Sequence, residues 1–325
     1  MTRPGIEVLH IGSACRDIAP DDRRGWRIGG GVTYAALTTA RLGLRTAAVV
    51  GVDDLAGDAH ELGTLREAGV EVLPVALADG PVYHNVETPS GRVQTCVQPG
   101  VPLPVVTLPG DWLAAPGWSV VPVAGEVGDD WAALIPAGAH VAVAWQGFLR
   151  DLRAGARVRH LAPGPSPILR RADLIGVSRH DVAPDVPLAA LEGLLGPRTD
   201  LLITEGDAGG LLIRLGPDDR AELLRYRSPA SDAEVDPTGA GDTFLAALQA
   251  SGLRAGTERA AIRAALDLRF AAAAGSLVVE GRGLAGVADL SAVLGRLERD
   301  AAPDAVTSIP PEEAGRFWSE ASATP

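Results

Sequence analysis

A chain of 325 residues, 46% apolar and 22% charged, holds enough material for one large core, or for one core plus a small appended lid. Its formal charge of −12 disfavours nucleic acid and anionic membrane as partners. All 29 basic side chains are arginine, which excludes any mechanism built on a phosphate-binding lysine, the Walker A type included.

An anion must therefore be held by backbone N–H groups, by arginine or by a metal ion. Cys15 and Cys96 give neither a disulfide framework nor metal-ligand spacing, so a reduced, cytoplasmic protein is expected. The six histidines contain no HxxH pair and suggest no zinc site. The short apolar run near the N-terminus reads as a strand, not a signal peptide, and no stretch has the length and hydrophobicity of a membrane span.

In chain order, IEVLHIG (6–12) reads as a buried strand closed by glycine. Residues 13–31 are polar and glycine-rich around Trp26 and end in Gly29-Gly30-Gly31. VTYAALTTARLG (32–43) has the pattern of a helix stopped by Gly43. RTAAVVGVD, DLAGDAHELGTLREAG and VEVLPVAL continue as strand, helix, strand, the alternation of an α/β layer architecture. Residues 79–98 break that rhythm: two extended segments flank Pro-Ser-Gly, which reads as a hairpin. With residues 13–28 it could form a small sheet projecting from the main domain. WSVVPVAG, HVAVAWQG, ARVRHLAP, ADLIGVS and LLITEG are expected as successive strands, with GGLLIRL paired beside the last and RAELLRYRSP at an edge. Helices are expected over 239–252 and about 258–279, and the segment after Asp300 as a poorly ordered tail or a terminal helix around PPEEAGRFWSE.

The segment richest in chemistry is EVDPTGAGDTFLAALQA (234–250). Small residues at Gly239, Ala240 and Gly241 before a helix let backbone N–H groups converge, and the helix terminus adds positive potential. The result suits the oxygens of a transferring phosphoryl group, and Asp242 beside them could accept the proton of an attacking hydroxyl. The same residues also suit a tight turn capped by Thr238 or Asp242. No GxGxxG follows the first strand, which disfavours a dinucleotide-binding oxidoreductase.

DPTGAGDTF resembles the C-terminal signature of the ribokinase-like (PfkB-type) carbohydrate and nucleoside kinases. Gly12-Ser13 with Asp17, the two glycines before an alanine-rich helix ending in ARLG, ADLIGVSRHD and LLITEGDAGG resemble further segments of that family in the same order, over roughly residues 6–300. The resemblance implies a three-layer α/β/α domain over 1–304 with a central, mostly parallel sheet. It also implies a β lid from about 13–31 and 79–99, leaving 305–325 as a partly ordered tail. It implies an ATP-dependent, Mg²⁺-assisted kinase in which Asp242 is the base, Gly239 to Gly241 form the anion hole, and Asp17 holds acceptor hydroxyls. Gly29 and Gly30 would let the acceptor approach the backbone. Thr204, Gly206 and Gly209 would lie on the nucleotide side, and Ala272, Gly275 and Ser276 would line an adenine pocket. Asp236 would lie near a monovalent cation such as K⁺. Where the family has Asn-x-x-Glu supporting Mg²⁺, this chain has Ser178 and Asp181, a shortened carboxylate and a hydroxyl in place of the amide.

The acceptor pocket also departs from the ribokinase pattern: Tyr34 stands where a sugar-binding asparagine is expected. GGxVTYA, VAGE, AWQGFLR and VEGRG are similar to a myo-inositol kinase-like branch, which implies a cyclic polyol as the first substrate class. Glu126 and Gln146 follow strands and could offer polar atoms to further hydroxyls. Trp26, Tyr83, His84 and Asn85 fall in the expected lid, where an aromatic would exclude water, and Arg92 could do so electrostatically. Trp26 and Tyr83 also keep a nucleoside acceptor open, and the altered Ser178/Asp181 pair keeps open a binding protein on a kinase scaffold. The exposed hairpin edge leaves room for a homodimer through the lid.

Overall fold

The computed structural model describes residues 5–88, 91–215, 221–255, 261–300, 302 and 305–321. β1 (Val8–Ser13) is buried at every position, as a parallel strand covered on both faces must be. Its one imidazole, His10, is kept neutral: burial lowers its pKa to about 3, and Nε2 meets Thr39 Oγ1 at 2.9 Å. β2 (Cys15–Ile18) and β3 (Trp26–Gly29) pair antiparallel. Gly30, at φ 101°, then turns the chain into α1 (Gly31–Arg41), and β4 (Thr46–Val52) runs parallel to β1. The next helix is interrupted, because Asp53 caps α2 (Asp54–Gly57) by accepting the Ala56 N–H at 2.8 Å and α3 (His60–Glu67) starts afresh. β5 (Glu71–Ala76) ends this arm of the sheet.

The expected hairpin is β6 (Val82–Thr88) and β7 (Gly91–Gln98); positions 89–90 of its turn lie outside the described residues. After α4 (Gly110–Leu113), β8 (Gly117–Val120) returns to the other side of β1, followed by β9 (His140–Ala144). ARVRHLAP, expected as a strand of the main sheet, does not join it. β10 (Arg150–Asp151) pairs with β12 (Arg159–His160) in a two-stranded ribbon, and β11 (Ala156–Arg157) adds to β7. An arginine-rich stretch cannot fill a strand buried on both faces. The remaining elements are α5 (Pro167–Arg171), β13 (Leu174–Ser178), α6 (Leu188–Glu192), β14 (Asp200–Thr204), β15 (Gly210–Leu215), β16 (Ala221–Tyr226), α7 (Ala240–Ala255), α8 (Ala261–Val278), α9 (Leu290–Arg299), β17 (Val306–Ser308) and α10 (Pro311–Ala321).

The ten-stranded sheet has the order β17-β16-β15-β14-β13-β9-β8-β1-β4-β5, parallel from β5 to β14 and antiparallel beyond. One face carries α1, α3, α7, α8 and α9 over an alanine-rich core, and the other carries α4, α5, α6 and α10 over Trp118, Trp131 and Trp145. Small side chains let α7 and α8 lie close together; Gly275 on α8 faces the Ala240 carbonyl and Phe244. The segment after Asp300 is part of this architecture: β17 extends the sheet beside β16, and Ala314, Phe317 and Trp318 of α10 are buried against it. Among the described residues no helix is long and apolar enough to cross a membrane.

A second sheet, ordered β11-β7-β6-β2-β3, is the small β lid. The chain leaves β1 toward β4 on one side and β8 on the other, so β1 and β8 diverge at their C-terminal ends. A crevice at such a switch point is where ligands of open α/β sheets bind, and the lid grows from the same edge.

Candidate active site

The crevice brings together three pieces distant in sequence. Gly30 admits the chain from lid to helix because of its positive φ, and Gly31 opens α1 without a side chain. A Cβ on Gly31 would sit 2.8 Å from Asp242 Oδ1 and 3.1 Å from the Val121 carbonyl, so the Asp242 carboxylate lies against bare backbone at the mouth of β1 and β8. Asp242 is in the first turn of α7. Thr243 N–H closes on Gly239 O at 2.8 Å and Ala240 N–H on Pro237 O at 3.3 Å. That leaves the amides of Gly241 and Asp242 as the first-turn donors for which helix geometry supplies no partner. Gly239 has φ 83°, and its Cα rests on the Tyr34 ring, which would collide with any Cβ there.

Asp17 faces the crevice from the lid. It stands opposite Arg27 on β3 and Tyr83 on β6, and a side chain on Gly29 would collide with its Oδ2. Its Oδ1 accepts from Asn85 Nδ2 at 3.1 Å, and Asn85 Oδ1 in turn accepts from Gln94 Nε2 at 2.7 Å. Gln94 sits directly across the hairpin from Asn85. Arg92, further along β7, donates to Thr238 Oγ1 at 3.3 Å and so links the lid to the glycine-rich turn.

Both carboxylates are hard to ionise. Burial raises Asp242 to about 6, with Arg150 opposing and Asp181 adding to the rise. Burial likewise raises Asp17 to about 6, against the pull of Arg92 and Arg150 and with a push from Asp236. Desolvation without a close ion pair has this effect on a carboxyl group. Two recessed acids that exchange protons near neutral pH, one at a helix N-terminus and one on a lid, can anchor a hydroxylic molecule and take a proton from it.

Several expected site residues do other work. Glu126 is buried, and its two oxygens accept main-chain N–H groups of Ser13 (2.9 Å), Val123 (3.1 Å) and Ala124 (2.8 Å), so it ties the ends of β1 and β8 and has little left for a ligand hydroxyl. Trp26 lies on the opposite face of the lid from Asp17. Arg24 stacks on its ring at 4.4 Å and Arg16 at 5.7 Å, and these arginines are held by Glu61 and Asp53, which fastens the lid to α3 and α2. Tyr83 is on Asp17's face but fully buried, with its hydroxyl donating to Val123 O at 2.8 Å. Gln146 turns away from Asp17 and lies 3.4 Å from both oxygens of Asp181.

The donor-side expectations change in the same way. Thr204 ends β14, and Gly206 at φ 57° shapes the short turn that follows it. Gly209, at φ 91°, is required by β-strand packing: a side chain there would strike the Tyr226 carbonyl. Ala272 and Ser276 are buried within the helical layer, and Ser276 Oγ accepts from Arg296 at 3.1 Å, so neither offers a face to a base; Gly275 alone of the three is partly accessible. Asp181 and Asp236 do not converge. Asp236 accepts the N–H groups of Thr238 (3.0 Å) and Gly283 (3.1 Å), which folds the signature loop. Asp181 is buried beside Gln146 and is the carboxylate whose charge reaches Asp242. Among the described residues no group of three or more His, Cys, Asp or Glu could hold a metal ion.

Sequence reasoning missed Arg150 and Gln94. Arg150 follows the turn after β9; it donates to Val123 O at 3.0 Å and lies over the Tyr83 ring at 5.5 Å. In a lysine-free chain, an arginine just beyond a central strand's C-terminal end was the available signal. For Gln94 the signal was period-two alternation, which puts Tyr83, Asn85, Gln94 and Cys96 on one face of the hairpin.

Residues 176–289 match the model of the pfkB family of carbohydrate kinases. No curated protein matches the chain. Among solved structures, a pyrophosphate-dependent kinase of the ribokinase family complexed with a pyrophosphate analog and myo-inositol is similar at 19% identity and a TM-score of 0.64, covering 85% of this chain and 96% of that one. Arabidopsis thaliana ribokinase, complexed with ribose and ATP, is similar at 19% identity and a TM-score of 0.65, covering 91% and 99%. A Methanocaldococcus jannaschii nucleoside kinase is similar at 14% identity and 0.64, with coverage of 91% and 99%. The matched segment contains the glycine-rich turn, and the three-layer fold with its lid is shared with these ribokinase-like structures.

Proposed function

We propose that this protein is a small-molecule kinase that transfers the terminal phosphoryl group of a donor to a hydroxyl of a small polyol or sugar, with a cyclic polyol such as myo-inositol favoured. The observation that carries the reading is the placement of Asp242: in the first turn of α7, against Gly31, in the switch-point crevice, across from a lid aspartate. Asp17 accepts acceptor hydroxyls through the oxygen positions that Asn85 leaves open, and Asp242 takes the proton of the hydroxyl that attacks. First-turn amides of Gly241 and Asp242, with the α7 terminus, hold the phosphoryl oxygens. The donor brings a divalent cation on its phosphates, and that cation supplies charge neutralisation. Tyr34, wedged against Gly239, narrows the acceptor pocket.

The polyol is favoured over a nucleoside because neither Trp26 nor Tyr83 is free to stack on a base: Trp26 faces away under two arginines and Tyr83 is buried and bonded. The solved relatives include both ATP- and pyrophosphate-bound kinases, and the adenine-pocket residues expected here are mostly buried, so both donors enter the test. Turnover is measured with Mg²⁺ and either ATP or pyrophosphate against inositols, hexoses, pentoses and nucleosides, beside Asp242→Asn. Acceptor-dependent turnover that falls by about 100-fold or more in the variant supports the reading. Unchanged turnover in the variant overturns the assignment of the base.

A further inference from the structure

We infer that Arg150 forms an anion subsite for the phosphoryl group in flight, supplying with a guanidinium the side-chain charge that a lysine-free chain must draw from arginine. This rests on the proposed kinase reading and adds to it a residue that neither the glycine-rich turn nor the lid supplies.

Arg150 is half-buried at the start of β10, immediately beyond the turn that closes β9. Its contacts anchor it on one side only. One Nη1 donates to the Val123 carbonyl at 3.0 Å, and the guanidinium plane lies over Tyr83, whose own hydroxyl donates to the same carbonyl at 2.8 Å. Among the described residues no carboxylate pairs with it. A guanidinium has five N–H donors. Those left over are not among the buried atoms without a partner in the described residues, so they remain accessible to an anion entering the crevice.

Three surroundings indicate which anion. Val123 lies just beyond β8, whose end meets Gly12, Gly31 and the Asp242 carboxylate at the crevice. Tyr83 lies on the lid face that carries Asp17. The charge of Arg150 is felt at Asp242 more than that of any other cation, whereas at Asp17 it comes after Arg92. The guanidinium thus stands between the end of β8 and the lid face, within electrostatic reach of both carboxylates, where a phosphoryl group between donor and acceptor would lie.

In the transfer, the acceptor O–H gives its proton to Asp242 while its oxygen forms the new O–P bond. The bridging P–O bond of the donor breaks, and the leaving nucleoside diphosphate or phosphate departs with that electron pair. Charge spreads over the three peripheral oxygens of the phosphoryl group, and a planar fork is suited to two of them.

The test is calorimetric binding of two probes, pyrophosphate and β,γ-imido-ATP, each with Mg²⁺, to the full chain and to Arg150→Gln and Arg150→Lys. Asp242→Asn is carried alongside. The expected result is a loss of about tenfold or more in affinity for at least one probe in Arg150→Gln, with a smaller loss in Arg150→Lys, which keeps the charge but not the fork. Loss confined to pyrophosphate assigns that donor, and loss with the imido nucleotide assigns a nucleoside triphosphate. If Arg150→Gln does not fold, the lysine variant carries the test through its loss of affinity at unchanged melting temperature. Binding of both probes unchanged in the variants overturns the subsite, as does a wild-type protein that binds neither. A subsite failure leaves the Asp242→Asn turnover result standing, and a failure of the base leaves the Arg150 binding result standing, so the two are separable.

Discussion

Replacing Asp242 by asparagine should remove turnover and raise stability together. In the folded protein this carboxyl is raised from 3.8 to about 6, chiefly by burial. At about 1.36 kcal/mol per pKa unit, two units cost the charged form about 3 kcal/mol at neutral pH. The helix terminus returns up to about 1 kcal/mol to a negative charge, a benefit the amide lacks. A net gain of about 2 kcal/mol remains for the variant. With an unfolding entropy of about 2.1 cal/mol/K per residue, 325 residues convert that gain into a rise of about 3 °C in melting temperature. The sign with pH follows from the raised pKa: the cost is full where the group is charged in both states, above pH 6, and fades progressively as pH falls from 6 to below 3.8. Thermal melts at pH 8 and pH 5, with turnover at pH 8, make the assay. The variant should melt higher at pH 8, keep only part of that advantage at pH 5, and turn over about 100-fold or more slowly. A variant that melts lower at pH 8 and retains turnover would mean that Asp242 is a structural cap, and the reasoning from burial to base would be refuted.

Asn85→Asp places a second carboxylate against Asp17 where the amide now donates at 3.1 Å; acceptor KM should rise about tenfold or more, with a smaller change in kcat, in steady-state kinetics. Glu126→Gln keeps the shape but weakens the acceptor that gathers three main-chain amides; chemical denaturation should show a loss of about 1–3 kcal/mol, and an unchanged midpoint would show those bonds to be dispensable. Trp26→Leu should lower the melting temperature and leave acceptor KM within about twofold, because the ring faces Arg16 and Arg24; a large KM change would return Trp26 to the pocket.

The layers were legible because they rest on periodicity and punctuation. Apolar runs closed by glycine became β1, β4 and β14, and the interruption at residues 79–98 became the lid hairpin. The glycines at 30 and 239 were readable as turns, and both have positive φ. What could not be read was which face a polar residue takes once strands from different parts of the chain pair. Asp17 and Trp26 lie on neighbouring lid strands yet point to opposite sides, and that depends on the register pairing Ile18 with Trp26 and Asp17 with Arg27. Glu126 looked like a free acid after a strand, but whether a carboxylate meets ligand or backbone is decided by how β1 and β8 diverge. ARVRHLAP, residues 156–163, was read as a strand of the main sheet for lack of tertiary context, although its charge argued against burial.

The crevice gathers Asp17, Asp181, Asp236 and Asp242 in a chain of net charge −12. A phosphate donor adds more negative charge at the one place where the base must stay ionised. Each negative charge near Asp242 pushes its pKa further above 6, and a base protonated at neutral pH accepts nothing. Something must therefore neutralise the donor before the hydroxyl can be activated. Backbone dipoles at the start of α7 bring only about half a unit charge. Arg92 is already turned to Thr238. On the proposed reading, Arg150 and a cation carried on the donor would supply the balance, so the base and the donor would be linked through charge, with Asp242 effective only when the phosphoryl group arrives already compensated. Asp181, a group whose charge reaches the base, is better held back beside Gln146 than extended toward Asp242.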